Sequence, residues 1–160
     1  MKKIVLIVLT VFTVILTLFT LTSCSSANEE KNFSEMFDDL TVKCADITES
    51  LYVADTEKAV SEYGIEKDLI KNAVFLRAPD RNIRADELII IEAVSKTAAE
   101  DLKTAFAMIQ QEKYMKWESL DNTEFEKVKN YKTVTLGRYM IYAVCDGADK
   151  VIAEFEEIFK

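Results

Sequence analysis

Several residue types that catalytic and metal sites commonly use are scarce or missing in this chain of 160 residues. It has no histidine, and it has only three glycines, one proline and three cysteines. The lack of histidine excludes the common Ser-His and Cys-His nucleophilic sites and the usual imidazole acid or base. The three glycines form neither a G-x-G-x-x-G nor a G-x-x-x-x-G-K pattern, so the familiar phosphate-binding loops are excluded as well.

Metal ligands are also few. Apart from Cys24, only Cys44, Cys145 and carboxylates are available, which is a poor set for zinc or copper. The acidic composition would suit calcium better, but the segments at 121–132 and 146–157 both lack the glycine that an EF-hand needs at its sixth position. We therefore predict no cofactor and no metal.

The amino-terminal segment is strongly apolar. Lys2 and Lys3 precede eighteen residues, Ile4 to Leu21, that are apolar or threonine. This is the form of a secretory signal. The length is also at the lower limit for a membrane-spanning helix, so an uncleaved anchor is the alternative.

The residues Leu21, Thr22, Ser23 and Cys24 resemble the lipobox of bacterial lipoproteins. This resemblance implies cleavage before Cys24 and a diacylglyceryl group on its thiol, and two acyl chains are enough for stable anchoring. We therefore predict a signal peptide over 1–23 and a lipidated cysteine with a short tether over 24–32. Both alternatives place the domain at the extracytoplasmic face of the cell membrane, because the two lysines favour a cytoplasmic amino terminus.

The charge of the chain restricts its partners. The formal net charge is −8, and both basic residues of the signal segment would be lost on cleavage. Nucleic acid and anionic lipid surfaces attract clustered Lys and Arg, so neither is expected to bind. The tether from Ser25 to Asn32 reaches at most about 28 Å, so we expect an envelope protein or a small ligand near the membrane as the partner.

Residues 33–160 are predicted to form a single α+β domain. An apolar stripe predicts a helix from Phe33 to Leu51 with Ser34 as its N-cap, and a second helix follows that Asp55 caps and Gly64 terminates. The segments "NAVFLRA" and "DELIIIEAVS" flank turn residues and predict a β-hairpin.

The remainder repeats the same order of elements. Thr97 and Thr123 open capping boxes for two more helices. A second hairpin, "KTVTL" and "RYMIYAVC", turns at Gly137 before a final helix. The order favours a mainly antiparallel four-stranded sheet that helices cover on one face. The unbroken apolar run Leu88 to Ile91 predicts a central strand.

From about Tyr63 onwards, three segments resemble one protein family. They are "YGIEKDLI", "ADELIIIEAV" and "VTLGRYMIYAVCDGADKVIAEF". This pattern is similar to that of the domain-of-unknown-function 4358 family, small lipoproteins of Gram-positive bacteria. The resemblance implies an α+β fold and membrane attachment, and it implies no catalytic residue, because the family's function is unknown.

Four residues are candidate contacts for a ligand or partner: Glu92, Tyr139, Tyr142 and Trp117. The tyrosines lie three apart on a predicted strand and therefore point to opposite faces, so one of them is a candidate surface contact. Trp117 either forms a binding patch at a helix end or packs there. Glu92 either works with Asp86 as a catalytic carboxylate or lies at a solvent-facing position.

These residues leave two functions open. The first is a non-enzymatic binding or interaction module in the cell envelope, and the alternative is a small envelope hydrolase that uses carboxylates, as glycosidases do. The binding lipoprotein of a transporter is disfavoured because the chain is too short for two lobes. An exported domain permits a disulfide between Cys44 and Cys145. The alternative is that both are buried free thiols, because free cysteine is among the most buried residue types.

Overall fold

Five strands form one antiparallel sheet in the computed structural model, which describes residues 31–160. The strands are β1 (Tyr52–Val53), β2 (Ile70–Arg77), β3 (Glu87–Ala93), β4 (Lys132–Leu136) and β5 (Tyr139–Val144). The helices are α1 (Phe33–Lys43), α2 (Ala45–Thr48), α3 (Thr56–Glu62), α4 (Lys96–Trp117), α5 (Asn122–Lys129) and α6 (Ala148–Ile158), and a 3₁₀ helix spans Lys67–Leu69.

The strand order is β1-β2-β3-β5-β4. The α+β class and both antiparallel hairpins are confirmed, but the prediction of four strands is wrong. The additional strand β1 pairs with the end of β2, Tyr52 opposite Arg77 and Val53 opposite Leu76. Two residues are too few to show an alternating pattern, and the first helix was expected to run almost to this point.

The helices cover both faces of the sheet rather than one. Residues from α3, α4 and α5 pack against one face: Ala59, Val60, Leu102, Phe106, Ile109, Trp117 and Val128. Residues from α1 and α6 pack against the other face: Met36, Leu40, Val151, Phe155 and Ile158. Strand β3 lies in the centre and all its residues are buried, as the run Leu88 to Ile91 predicts.

The predicted ends of α3 are confirmed. The Asp55 carboxylate accepts a hydrogen bond of 2.7 Å from the backbone N–H of Lys58. Gly64 has a φ of +61° just beyond the helix, where a left-handed residue terminates the turn.

The two predicted capping boxes are wrong. The Ser95 hydroxyl accepts from the backbone N–H of Ala98 at 3.0 Å, so α4 begins two residues earlier than Thr97 would place it. The Asp121 carboxylate likewise caps α5 ahead of Thr123. In both cases an earlier residue in extended conformation already supplies the acceptor that the first free N–H groups need.

The first helix is also shorter than predicted. It begins after Asn32, whose side chain accepts from Ser34 N at 2.9 Å, and it breaks at Cys44 before the short α2. Cys44 and Cys145 are both buried free thiols in the same hydrophobic cluster.

The predicted signal peptide over 1–23 and the lipidated Cys24 lie outside the described residues. Asn32–Lys160 form a compact unit. Within residues 31–160, no helix combines the length and the apolar character needed to cross a membrane.

Candidate functional site

A charged cavity of about 430 Å³ lies beside the start of β3. Three segments surround it: the end of α3, the connection between β2 and β3, and the last two turns of α4. The lining residues are Glu62, Tyr63, Arg77, Arg81, Asn82, Arg84, Ala85, Asp86, Glu87, Ile109, Glu112, Lys113, Lys116 and Trp117.

Glu87 forms the centre of the buried wall. Its carboxylate accepts hydrogen bonds from Arg77 Nε at 2.7 Å and from the Tyr63 hydroxyl, which lies 2.5 and 2.6 Å from the two oxygens. Lys113 Nζ lies 2.8 Å from Glu87 Oε2. Only 1% of Glu87 is exposed, so its carboxylate is in contact with these three partners and not with bulk water.

Local structure explains how these groups meet. Arg77 and Glu87 are directly paired residues of the β2–β3 ladder, so their side chains lie side by side on one face. Tyr63 is the C-cap of α3. Lys113 continues the buried stripe of α4 four residues after Ile109, so a lysine stands where the helix would otherwise present another apolar residue.

The electrostatics keep Glu87 charged. Burial tends to raise the pKa of its carboxyl group, but Lys113, Tyr63 and Arg77 outweigh burial and hold the pKa below its usual range. Burial and the neighbouring Glu87 raise the pKa of the Tyr63 hydroxyl. The carboxylate is therefore ionised, and the phenol stays protonated.

A second carboxylate links the cavity wall to its rim. Glu62 accepts from Arg77 Nη1 at 3.0 Å and from Arg81 Nη1 at 2.5 Å. Arg77 is nearly inaccessible, with 4% of the residue exposed. Its buried Nη2 atom donates to no acceptor among the residues that the structure describes.

Lys116 supplies a different kind of cation at the rim. Its ammonium donates to the backbone carbonyl of Arg81 at 2.7 Å and lies 5.3 Å from the Trp117 ring centre. Partial burial lowers the pKa of Lys116, and the nearby charges of Arg81 and Lys113 lower it further. Two neighbouring cations therefore disfavour the charged form of Lys116, and the carboxylates of Glu62 and Asp80 only partly offset them.

The cavity is less acidic than the chain as a whole. Nine of its fourteen lining residues are charged, five basic and four acidic, whereas the full chain carries a formal net charge of −8. Asp86 is one of the acidic four, and it pairs with Arg84 at 3.0 Å and with Lys127 at 3.3 Å. Most of the local carboxylate charge is therefore already used by protein cations.

Of the residues singled out in the sequence, the cavity contains Trp117 and Asp86. Glu92 does not line the cavity, because it lies five residues beyond Glu87 in β3 and so points to the other face of the sheet. The prediction of a solvent-facing position for Glu92 is wrong, since only 1% of the residue is exposed. There it bonds Lys71 and Arg138, each at 3.0 Å.

The two tyrosines are not together either. They do point to opposite faces, as their spacing predicts. Tyr139 packs against Phe159 with ring centres 4.9 Å apart. Tyr142 is fully buried on the α4 side of the sheet, where its hydroxyl donates to Gln110 Oε1 at 2.7 Å.

The sequence reading missed Arg77, Tyr63 and Lys113 as parts of a site. One signal was available for Arg77, because it is a charged residue at the end of the apolar run Val74 to Leu76 in a predicted strand. Lys113 gave a weaker signal, as a lysine four residues after Ile109 in the apolar stripe of α4. Tyr63 interrupts no pattern. Their role depends on the packing of α3 and α4 over the hairpin.

The acidic side chains and thiols of the described residues do not cluster into a candidate metal site. Among residues 31–160, no group of three or more His, Cys, Asp or Glu side chains is arranged to hold a metal ion.

Comparison with known proteins gives one result. A family model described as "Domain of unknown function (DUF4358)" matches residues 43–145, which include β1 to β5 and every residue of the cavity. No curated protein and no solved structure matches significantly. Since the family model covers more than half of the sequence, the chain belongs to the DUF4358 family.

Proposed function

We propose that the protein is a lipoprotein anchored through Cys24 to the extracytoplasmic face of the cell membrane, and that its domain binds a small ligand in the charged cavity without catalysing a reaction. The cavity is the observation that carries the binding proposal. Its volume of about 430 Å³ is within the range of small-molecule sites, about 300 to 1,000 Å³. A concave site of this size favours a small molecule over the envelope protein that is the other predicted partner.

The ion pairs support a site that is formed before a ligand arrives. Arg77 and Glu87 are fixed by direct hydrogen bonds on neighbouring strands, and Glu62 is shared by Arg77 and Arg81. Such a wall has little side-chain freedom left to lose, which lowers the entropic cost of binding.

The same contacts disfavour the hydrolase alternative. A general acid must carry a proton near neutral pH, whereas Lys113, Tyr63 and Arg77 hold the pKa of Glu87 below its usual range despite burial. Asp86 is engaged by Arg84 and Lys127. A turnover of cell-envelope substrate that Asp86→Asn abolishes in a folded protein would contradict this part of the proposal.

Anchoring rests on the sequence, namely Lys2, Lys3, the apolar run and Cys24. The test is the intact mass of the full-length protein expressed in a bacterium with the lipoprotein pathway. The wild type should lose residues 1–23, gain a diacylglyceryl group and remain in membranes after an alkaline wash.

The Cys24→Ser variant should keep residues 1–23 and carry no lipid, whereas the control Cys145→Ser should be processed like the wild type. If Cys24→Ser has the same mass change and lipid as the wild type, lipid attachment at Cys24 is wrong.

Binding is tested with the full-length protein in nonionic detergent and a library of anionic, neutral and cationic metabolites, using thermal stabilisation as the readout. Asn82 lines the cavity and is exposed, so Asn82→Trp should obstruct it without disturbing the core. The matched control is Ile83→Trp at a neighbouring position with 68% exposure that does not line the cavity.

Compounds that stabilise the wild type and Ile83→Trp but not Asn82→Trp support binding in the cavity. If every stabilising compound acts equally on all three proteins, or none stabilises the wild type, the cavity is not a ligand site.

A further inference from the structure

We infer that the cavity selects a small polar molecule bearing a carboxylate or phosphate group, which Lys116 contacts while Arg77 and Arg81 provide further positive charge. This inference rests on the proposed function, because it names the chemical class of ligand for the same site. Both groups are oxyanions that guanidinium and ammonium donors recognise in the same way.

Lys116 is the cation most available to an anion. Among residues 31–160 no carboxylate lies within ion-pair distance of it, and its ammonium instead donates to the Arg81 carbonyl at 2.7 Å. Glu112 lies one turn earlier on α4, at a spacing that often produces an ion pair, yet the two side chains do not meet. The ammonium therefore retains two donors for a ligand.

Arg77 contributes a fixed charge from the wall. Its guanidinium lies 4.8 Å from the centre of the Tyr63 ring and is bonded through Nε and Nη1, but Nη2 has no acceptor within the described part of the chain. A buried cationic donor without a partner is costly. An anion near this wall would offset part of that cost.

The arrangement of like charges points the same way. Arg81 and Lys113 lie close enough to Lys116 to add to the effect of burial in lowering its pKa. Glu62 and Glu87 are already occupied by arginine, tyrosine and Lys113 donors. The carboxylates of Glu62 and Asp80 only partly offset this effect on Lys116. An oxyanion would therefore relieve the repulsion that Lys116 experiences, whereas a cationic ligand would increase it.

The lining also limits the rest of the ligand. Apolar side chains are few, since only Ala85, Ile109 and Trp117 join the charged and polar residues. A volume of about 430 Å³ therefore suits a polar metabolite with hydroxyl, amide or further charged groups better than a lipid chain.

The closing experiment compares probes that differ in charge. Isothermal titration of the full-length protein in nonionic detergent uses succinate with its neutral diamide succinamide and with putrescine, and glycerol 3-phosphate with glycerol. We expect at least one anion to bind at least tenfold more tightly than its neutral counterpart. The affinity should fall with added salt because the attraction is electrostatic.

Lys116→Met is the decisive variant, because Lys116 is exposed and its loss should leave the fold intact. It should weaken anion binding about tenfold or more, since one charge-assisted contact is lost. Lys150→Met is the matched control, because Lys150 is an exposed lysine that pairs with Asp46 on another helix. It should bind like the wild type.

The alternative outcomes separate the two proposals. If succinamide, glycerol or putrescine binds as tightly as the anions and Asn82→Trp removes that binding, anion selectivity is wrong while the proposed function stands. Unchanged anion binding in Lys116→Met also overturns the inference. If no probe binds and the metabolite library yields no compound sensitive to Asn82→Trp, both proposals fail.

Discussion

At the residue scale, Glu87 shows how a carboxylate can remain charged inside this domain. Tyr63 and Arg77 donate hydrogen bonds to it, and Lys113 forms an ion pair with it from a third element. Removing one partner of a buried ion pair usually costs more than the pair itself contributes, because the remaining charge is left without compensation. Glu87 is therefore expected to be among the least replaceable side chains of the cavity.

We predict that Glu87→Gln lowers the free energy of unfolding at pH 7 by about 3 kcal/mol. The native pKa of Glu87 lies below its usual range, although burial alone would raise it. The stabilisation is therefore complete above the unfolded-state pKa of about 4.3 and declines as the pH falls towards the native pKa.

Urea unfolding at pH 7, 4 and 3 measures this difference. The gap between wild type and Glu87→Gln should be largest at pH 7 and smaller at pH 3. Glu112→Gln, at an exposed lining position, should change stability by less than about 0.5 kcal/mol. A gap that widens on acidification would contradict an ionised Glu87.

At the element scale, helix α4 serves both the core and the cavity. Leu102, Phe106 and Ile109 pack against the sheet, while Lys113 and Lys116 in the last two turns face the cavity. The packing of the helix on the sheet therefore sets where the two lysines lie. Its observed N-cap is Ser95 and not Thr97.

Replacing the two candidate cap residues should distinguish them. Ser95→Ala should lower the free energy of unfolding by about 1 kcal/mol, because the hydrogen bond to Ala98 N is lost. Thr97→Ala should be neutral or slightly stabilising, because alanine favours a helix interior. Thermal and urea unfolding measure both. A larger loss for Thr97→Ala would restore the capping box predicted from the sequence.

At the scale of the whole molecule, helices α1 and α6 cover the face of the sheet opposite α4, and both cysteines of the domain are buried there. Cys44 and Cys145 belong to the cluster that α1 and α6 form on the sheet. Burial raises the pKa of Cys145 to about 12, and burial also raises the pKa of Cys44. Since the thiolate is the reactive form, neither thiol should react readily in the native protein.

Thiol titration of the full-length protein measures this directly. The native protein should show almost no reaction, and the denatured protein should show two free thiols if Cys24 carries lipid. Three thiols after denaturation would contradict lipidation. If the count rises by two only after reduction, Cys44 and Cys145 are joined in a disulfide, contrary to the structure.

The sequence by itself determined the parts that depend on local patterns. Periodicity predicts both hairpins and the central position of Leu88 to Ile91. Side chains close in sequence predict the cap at Asp55 and the turn at Gly64. Family membership also follows from the sequence, because the family model matches residues 43–145. This region includes both hairpins and the helices between them.

Only the tertiary structure decided which charges meet. The cluster around the buried Glu87 carboxylate draws on four elements, which contribute Tyr63, Arg77, Glu87 and Lys113. No spacing in the sequence links these four residues. Their contact depends on how α3 and α4 pack over the β2–β3 hairpin. The same packing left Lys116 at the rim of the cavity.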